Sequence, residues 1–541
     1  MAHRKPTRRE FIQLASAAAL SMSAGCISDK FTNKMAEEGK KPGDYPVVVI
    51  GSGIGGLASA VYLSRAGFPV TVIEQHDIPG GYATAFQRDD FNFDVSLHFF
   101  GVAEEYYKEL GLEGKVERIP LKMTQRIVGA DRSVSIPEMM PEEFIEFVCK
   151  RFPDEKEGVR DFIEYCMEAY EELERFGKKI NTGSVFLPFM PFQYPKMWSL
   201  RNKSFADVLD KFVKNRMTQS ALAGISAIYG LPPSRTNGFM AAMLIGSMRK
   251  QKMYYFRTRS QDLSNGLVSV IEDNKGTVVL GKTVTRILTE NNRVTGVKTD
   301  DGMTYPARIV VSNANAPDTF GKLLAGNEKA KKYAEKLSEH EPSISSFLLW
   351  LGLKGTLDKK LFEQSVTIES GHDIETDFKN FQACNAEKVP VLLALYDNYF
   401  KGYSKPGTST LTIMVLSGYE PWKKFEKDYF AGNKDEYNRE KERVANILIR
   451  RVEEKLIPGL SGKIRVMEAA TPLTNMRFTK NPGGAIYGYP PTTNNAFTNR
   501  VKNSTPIEGL YLSSGWGHYW GSYPGGIMNG RDVYRLIMKE I

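Results

Sequence analysis

Residues 46–74 read PVVVIGSGIGGLASAVYLSRAGFPVTVIE, and few folds accommodate such a stretch. Val47–Ile50 is an unbroken β-branched run, the pattern of a strand buried on both faces. It leads straight into Gly51, Gly53 and Gly56, the G-x-G-x-x-G spacing. An Ala- and Leu-rich helix is expected over residues 57–65, closed by Gly67, and a second strand over residues 69–73 ends on Glu74. Each part has a task in holding a dinucleotide. Gly51 permits a tight turn, Gly53 lets backbone approach a pyrophosphate, and Gly56 lets helix pack on strand. The positive end of the helix dipole faces the phosphates. Glu74 is placed to accept hydrogen bonds from both hydroxyls of the adenosine ribose. The motif leaves NAD and FAD both open.

At 541 residues the chain exceeds one simple core, so two or three domains are expected. Its 42% hydrophobic, 25% charged composition excludes a mainly disordered or polytopic membrane protein. No run after residue 26 nears the ~18 apolar residues of a spanning helix. Of the formal charge of +9, residues 1–26 carry +3 through Arg4, Lys5, Arg8, Arg9 and Glu10. The remaining +6 is spread over interleaved basic and acidic residues, a solvated mixed surface rather than a nucleic-acid groove. Cys26, Cys149, Cys166 and Cys384 form no C-x-x-C pair, and the six histidines stand in no ligand spacing, so no metal site is expected.

Residues 1–26, MAHRKPTRREFIQLASAAALSMSAGC, read as an export signal: a basic start, then a modest apolar stretch. Arg8-Arg9 followed by Phe11 resembles a twin-arginine signal, the route for proteins exported already folded. That route suits a chain that takes up its cofactor before it crosses. Ser23-Ala24-Gly25-Cys26 resembles a bacterial lipobox, with Ser23 in place of the usual Leu. The expected product is periplasmic, either membrane-anchored through a lipidated Cys26 or released by ordinary cleavage. Residues 27–44 read as a polar tether.

Soon after Glu74 comes Gly80-Gly81, which looks like the extended FAD fingerprint of the glutathione-reductase-like flavoproteins. In closer detail, residues 49–86 followed by FDVSLHFFG at 93–101 resemble the phytoene desaturase, carotenoid isomerase and retinol saturase family, with Ser96 where that family has Gly. The C-terminal part restores the likeness: EAATPLT at 468–474, RFT at 477–479, Gly484, Tyr487-Gly488, a strand-like GLYLSSG at 509–515 and PGGIMNG at 524–530. It spans residues 45–541 and is strongest at the two ends. One departure is Arg259-Ser260, where the family carries Gly-Gly before a helix.

The resemblance implies an α/β protein: a Rossmann-like FAD-binding domain of the glutathione-reductase-like type with an α+β substrate domain. Its FAD-binding parts are expected at 45–100, 271–325 and 467–541. Residues 101–270 are expected to form a mostly helical substrate or cap region, and residues 326–466 the sheet and helix of the substrate domain. The segment at Val284 lays its backbone against the adenine. The loop at Gly515 lies by the flavin, and Gly525 and Gly526 bring free backbone N–H groups beside it, where the helix dipole stabilises the anionic reduced ring.

Elsewhere the residues speak for themselves. Asn291-Asn292, between strand-like runs at 283–288 and 293–299, predicts a hairpin. Residues 183–200 mix three prolines with aromatics and methionines and cannot form one regular helix; they read either as a hydrophobic entrance or membrane contact, or as a buried loop. The Met-rich run at 239–248 suits either an adaptable apolar tunnel or, on the leading reading, core.

His518, in an aromatic loop with Trp516, Tyr519 and Trp520, is the candidate catalytic residue, since an imidazole handles a proton at neutral pH. The competing reading makes this loop a cover for the flavin with no proton transfer. Asp94 and His98 read as structural supports. The leading expectation is an exported FAD-dependent oxidoreductase acting on double bonds of an apolar isoprenoid or polyene, by desaturation, saturation or isomerisation. A quinone or redox protein is the expected electron acceptor. An amine or amino-acid oxidase, and a non-enzymatic flavin electron-transfer lipoprotein, are the alternatives.

Overall fold

The run Val47–Ile50 is buried along its whole length and forms the middle of a five-stranded sheet. Across that sheet the order is Thr277–Val279, Val70–Ile73, Val47–Ile50, Ile309–Ser312 and Leu510–Leu512, parallel throughout. Val47–Ile50 has an early strand on one side and a late one on the other. Its C-terminal end is therefore a topological switch point, the place where open α/β sheets bind ligands. The computed structural model describes residues 41–96, 102–120, 125–129, 133–136, 141–181, 189–250, 253–358, 365–496 and 499–541. The export signal, most of the tether, His98 and residues 183–188 lie outside them.

The glycine-loop helix is Ile54–Arg65, starting three residues earlier than its apolar pattern predicts because Gly53 is its extended N-cap. It is buried against the C-terminal helix Tyr523–Glu540, and small residues set how closely the two approach. A Cβ on Gly530 would sit 2.6 Å from Ser59 N, and one on Gly526 would sit 3.0 Å from Ile54 Cγ2. The hairpin Val284–Glu290/Arg293–Thr299 forms as predicted, with Asn291 and Asn292 both at positive φ (50° and 61°).

A second, seven-stranded sheet runs in the order Ile464–Ala470, Ser345–Lys354, Thr408–Ser417, Val391–Ala394, Ser365–Ile368, Gln125–Val128 and Ser133–Ile136. Strand alternation gives it two faces. Phe347, Leu349, Leu351, Ile413, Val415 and Leu393 pack with Val444, Leu448 and Val452 of helix Asp435–Lys455 in one core. On the opposite face Leu348, Trp350 and Ala470 pack on Phe91 and Phe93 of the hairpin Ala85–Arg88/Phe91–Asp94, while Ile127 packs against the core of a helical layer that includes Pro141–Arg151, Lys156–Asn181 and Arg216–Ala223.

Two expected boundaries shift. Gln125–Val128 and Ser133–Ile136, within the region expected to be helical, extend the second sheet. The strand Ile464–Ala470 crosses the expected 466/467 boundary and pairs with Ser345–Lys354 in that same sheet. Both follow from strand pairing across long sequence separations, which local patterning does not report. Residues 190–200 form two short helices, Met190–Gln193 and Pro195–Leu200, each with a proline in its first turn and a break at Tyr194. The Met-rich helix Gly238–Lys250 contributes to the helical core. Cys149 and Cys166 are free and buried.

Asp94 ties the layers together. Its carboxylate accepts from Tyr255 Oη at 2.9 Å, from Ser260 N–H at 3.0 Å, and from the hydroxyls of Ser260 and Tyr403. Trp350 Nε1 donates to its carbonyl at 2.7 Å. Ser260, standing where a Gly is expected, thus anchors helix Ser260–Asp273 through its N–H and hydroxyl. Asp94 is the structural support that its position in the sequence implied.

Candidate active site

The cradle starts where the chain leaves Ile50. Gly51 turns at φ 91°, a conformation open to glycine at little cost. Gly53 and Gly80 pair as an isolated parallel bridge, so the two glycine loops are joined directly. A Cβ on Gly53 would overlap Asn313 Oδ1, one on Gly56 would overlap Gly51 O, and one on Gly80 would overlap Ala83 O. Gly81 (φ 61°) faces the open space beside Gly53. Glu74 is buried and accepts from Ser52 N and Ser52 Oγ at 2.7 Å and from His76 N at 3.0 Å. A carboxylate has about four acceptor sites, so Glu74 has room for one ribose hydroxyl, where two were expected. Lys282, Thr283 and Val284 line the same end of the cavity, with Lys282 N bonded to Glu74 O at 2.9 Å.

Sequence reasoning missed two cradle residues. Asn313 lies behind Gly51, Gly53 and Gly56 and donates through Nδ2 to Ser513 O. Gly55 lines the cavity, and a Cβ there would overlap Ser513 O. The available signal was position alone: Asn313 and Ser513 each directly follow a strand of the five-stranded sheet.

At the C-terminal loop, Gly515 lines the cavity, and a Cβ on it would lie 2.8 Å from Gly521 N and 2.9 Å from Tyr487 O. The expected free N–H groups of Gly525 and Gly526 are not free. Ser522 caps the helix, its Oγ taking Gly525 N–H at 3.0 Å, while Gly526 N–H bonds Ser522 O at 2.9 Å. Gly525 is absent from the cavity lining; Gly526 lines it and matters for close packing on Ile54 and Gly55.

His518 also lies off the cavity. Its N–H bonds Asn503 Oδ1 at 2.9 Å and its ring packs edge-on against Tyr519. Desolvation, aided by the charges of Arg500 and Lys502, lowers its pKa to about 3, so the ring is neutral at working pH. The proton-transfer role expected of it has no geometric basis, and the covering reading of the loop fits better. Of the aromatics beside it, Trp516 lines the cavity and packs edge-on against Tyr489; Trp520 packs edge-on against Tyr229.

Arg500 organises this loop. It is buried and donates to Tyr489 O at 2.6 Å, His518 O at 3.1 Å and Gly515 O at 3.4 Å. Among the described residues no carboxylate pairs with it, and desolvation lowers its pKa to about 9. An unneutralised buried cation thus stands behind Gly515, with a field that favours negative charge on whatever occupies the cradle.

The cradle opens into one cavity of about 1400 Å³, above the ~300–1,000 Å³ usual for a single small-molecule site. Its floor is the free face of the seven-stranded sheet. Ala470, Leu348, Met414, Leu392, Thr367 and Ile127 line it, and each is the direct cross-strand partner of the next. Five strand-to-strand steps of about 4.8 Å carry this row across ~24 Å. The roof includes Phe144, Phe147, Met217 and Ala221 of the helical layer. Tyr82 and Tyr487 stand near the cradle; burial pushes the Tyr487 phenol up to about 12 and the Tyr82 phenol higher, so both stay protonated. The cradle's backbone surface, acidic residue and helix N-terminus fit an FAD, and the remaining space is large enough for a second molecule.

Comparison with known proteins gives the family. Residues 54–538 match the family described as flavin containing amine oxidoreductase. All-trans-retinol 13,14-reductase of Danio rerio is 25% identical over 524 residues, covering 90% of this chain and 85% of that protein. Chloroplastic prolycopene isomerase 2 of an Oncidium hybrid cultivar is 29% identical over 516 residues, 91% and 83% of the two chains. Among solved structures, a double mutant of putrescine oxidase superposes with a TM-score of 0.60 at 13% identity, covering 92% of this chain and 99% of that one, a likeness of fold.

Proposed function

The chain belongs to the flavin-containing amine oxidoreductase family and is an FAD-dependent oxidoreductase of the carotenoid and retinoid type, and from that premise we propose that it acts on carbon–carbon double bonds of a linear apolar polyene or isoprenoid. The observation that carries the proposal is the apolar row from Ala470 to Ile127, continuous with the cradle in one cavity. A floor ~24 Å long matches a rod, not a compact amine. The retinol and prolycopene named for the relatives are long molecules of this kind.

When bound, FAD supplies hydride acceptance or donation at flavin N5. The chain's own residues orient and exclude. Leu348, Met414 and Leu392 fix the plane of the substrate, Phe144 and Phe147 cover it, and Gly515 and Gly526 let backbone come close to the flavin end. The Tyr487 phenol stays protonated, its proton held by burial. A non-enzymatic flavin carrier is set aside by the family.

The test is to photoreduce the FAD-loaded protein and mix it anaerobically with all-trans-retinol or prolycopene, then to add putrescine or benzylamine to the oxidised protein in air. Flavin reoxidation with a saturated product, or isomerisation without net electron transfer, is the expected result. Peroxide release with amines and no polyene turnover would instead establish the amine-oxidase reading.

We also propose the twin-arginine export and the anchoring at Cys26 read from residues 1–26, with a quinone or redox protein as electron acceptor. Cell fractionation of the wild type and Cys26→Ser checks the first two. A cytoplasmic wild type would refute export; equal membrane retention of both forms would refute the anchor.

A further inference from the structure

In the five-stranded sheet Val47–Ile50 lies between Val70–Ile73 and Ile309–Ser312, so the crevice at its C-terminal end has two sides, about 10 Å apart. His76 is the third residue past one flanking strand, and Asn315 is the third past the other. Both reach for the same short segment. Gln75 Nε2 donates to Phe478 O at 2.9 Å, and His76 Nε2 donates to the same carbonyl at 2.7 Å. A carbonyl only accepts, so His76 carries its proton on Nε2. From the far side Asn315 Nδ2 donates to Lys480 O at 3.0 Å. The His76 ring packs against Phe478 with centroids 5.6 Å apart. Phe478, Thr479 and Lys480 thus bridge the crevice across the turn at Gly51 and Gly53. Turn and bridge line one cavity, whose space runs between them.

The bridging segment is the tip of helix Pro472–Thr479, whose root lies in the other sheet. The helix follows strand Ile464–Ala470, and its Asn475 donates to Ser345 Oγ of the seven-stranded sheet at 3.1 Å. Lys480 ends it at φ 59°, its N–H on Met476 O at 2.9 Å. The tip is held differently from the root. Phe478 is 49% exposed, so its ring buries little, and three polar bonds do the holding. Bonds of that kind, across a cavity rather than a packed core, open locally at low cost. We propose that Phe478–Lys480 is a retaining bar across the dinucleotide crevice, clasped by Gln75 and His76 on one side and by Asn315 on the other, and that FAD enters and leaves only when it is unclasped. The glycine loops govern whether FAD fits, and the bar governs how long it stays. This rests on the FAD cradle and is independent of the polyene reading.

The test is to mix the FAD-loaded protein with excess radiolabelled FAD and to read exchange as label retained after gel filtration. The double variant Gln75→Leu/His76→Leu removes both side-chain bonds to Phe478 O. Exchange should quicken about 20-fold in it, and about fivefold in either single variant. A bar obstructs both directions, so FAD uptake by protein stripped of flavin should quicken in step, leaving Kd within about twofold of the wild type. The FAD-saturated double variant should melt within about 3 °C of the wild type. Unchanged exchange overturns the bar. Faster release matched by an equal rise in Kd makes Gln75 and His76 plain FAD ligands and overturns it too. So does a larger fall in melting temperature, which makes the segment a tie between the two sheets. A wild type that takes up no FAD takes down the bar and the FAD cradle together.

Discussion

The two ends of the cavity are built by opposite means. The cradle is backbone: Gly51, Gly53, Gly55, Gly80, Gly81 and Gly515 remove side chains so that main chain can approach a dinucleotide. The floor is side chain: Leu348, Met414, Leu392 and Ile127 present methyl and methylene surface from four strands. A Cβ on Gly55, Gly80 or Gly515 would meet main-chain atoms, which do not move aside, and one on Gly53 would meet the Asn313 side chain that is tied to Ser513 O. The floor's residues meet a ligand, and their identity can drift while the surface stays apolar. One end is intolerant of any added atom; the other is intolerant mainly of charge.

Substitutions can break that contrast or sharpen it. The largest effect is expected at Gly55, whose Cβ would overlap Ser513 O. Gly55→Val should cost more than about 4 kcal/mol and yield protein without flavin, read from the absorbance of the purified chain. Next is Arg500→Met, which strips four carbonyls of a charged donor. It should lower stability by about 3 kcal/mol and make the flavin harder to reduce, checked by thermal melting and a redox titration; Arg500→Lys should restore part of the potential.

On the floor, Met414→Glu should weaken polyene binding about 100-fold, since a charge would be placed in apolar contact, while the flavin spectrum stays as in the wild type. Loss of flavin in that variant would erase the distinction between the two ends.

At neutral pH the smallest effect is at His518. Its folded pKa of about 3 lies below its ordinary value of 6.5, so between these values the unfolded chain binds a proton that the folded loop refuses. This group's contribution to stability is intact above pH 6.5 and is lost as pH falls toward 3, at most about 1.4 kcal/mol per pH unit. His518→Asn should flatten that acid flank in a series of melts, and should leave the pH–rate profile unchanged if the loop is only a cover.

The same contrast explains what could be read from the sequence. The first glycine loop is contiguous, and its strand, turn, helix and acid follow in order, so fold and ligand class were legible from residues 46–74. The hairpin at Asn291-Asn292 was legible because positive φ has a local residue preference. The floor row was not. It joins residues 127, 348, 367, 392, 414 and 470, and pairing register between distant strands leaves no local mark. Arg500 was missed because its partners are carbonyls, which every residue has. Gly525 and Gly526 were credited with free N–H groups because the cap that uses the first one depends on the conformation of Ser522. His518 drew attention by residue type alone.

The join between the two chain ends also sets a schedule. Gly55 meets Ser513, Gly526 meets Ile54, and Leu510–Leu512 adds the last strand beside Ile309–Ser312. On a ribosome adding roughly 5–20 residues each second, the first glycine loop emerges tens of seconds before the segment that closes it. The dinucleotide therefore meets a finished site only once residues 510–530 have been made, and a chain cut short before Leu510 leaves the half-built cradle open. Cofactor capture thus acts as an inspection step: a flavin-bearing molecule is one in which the segment from Leu510 has been made and docked.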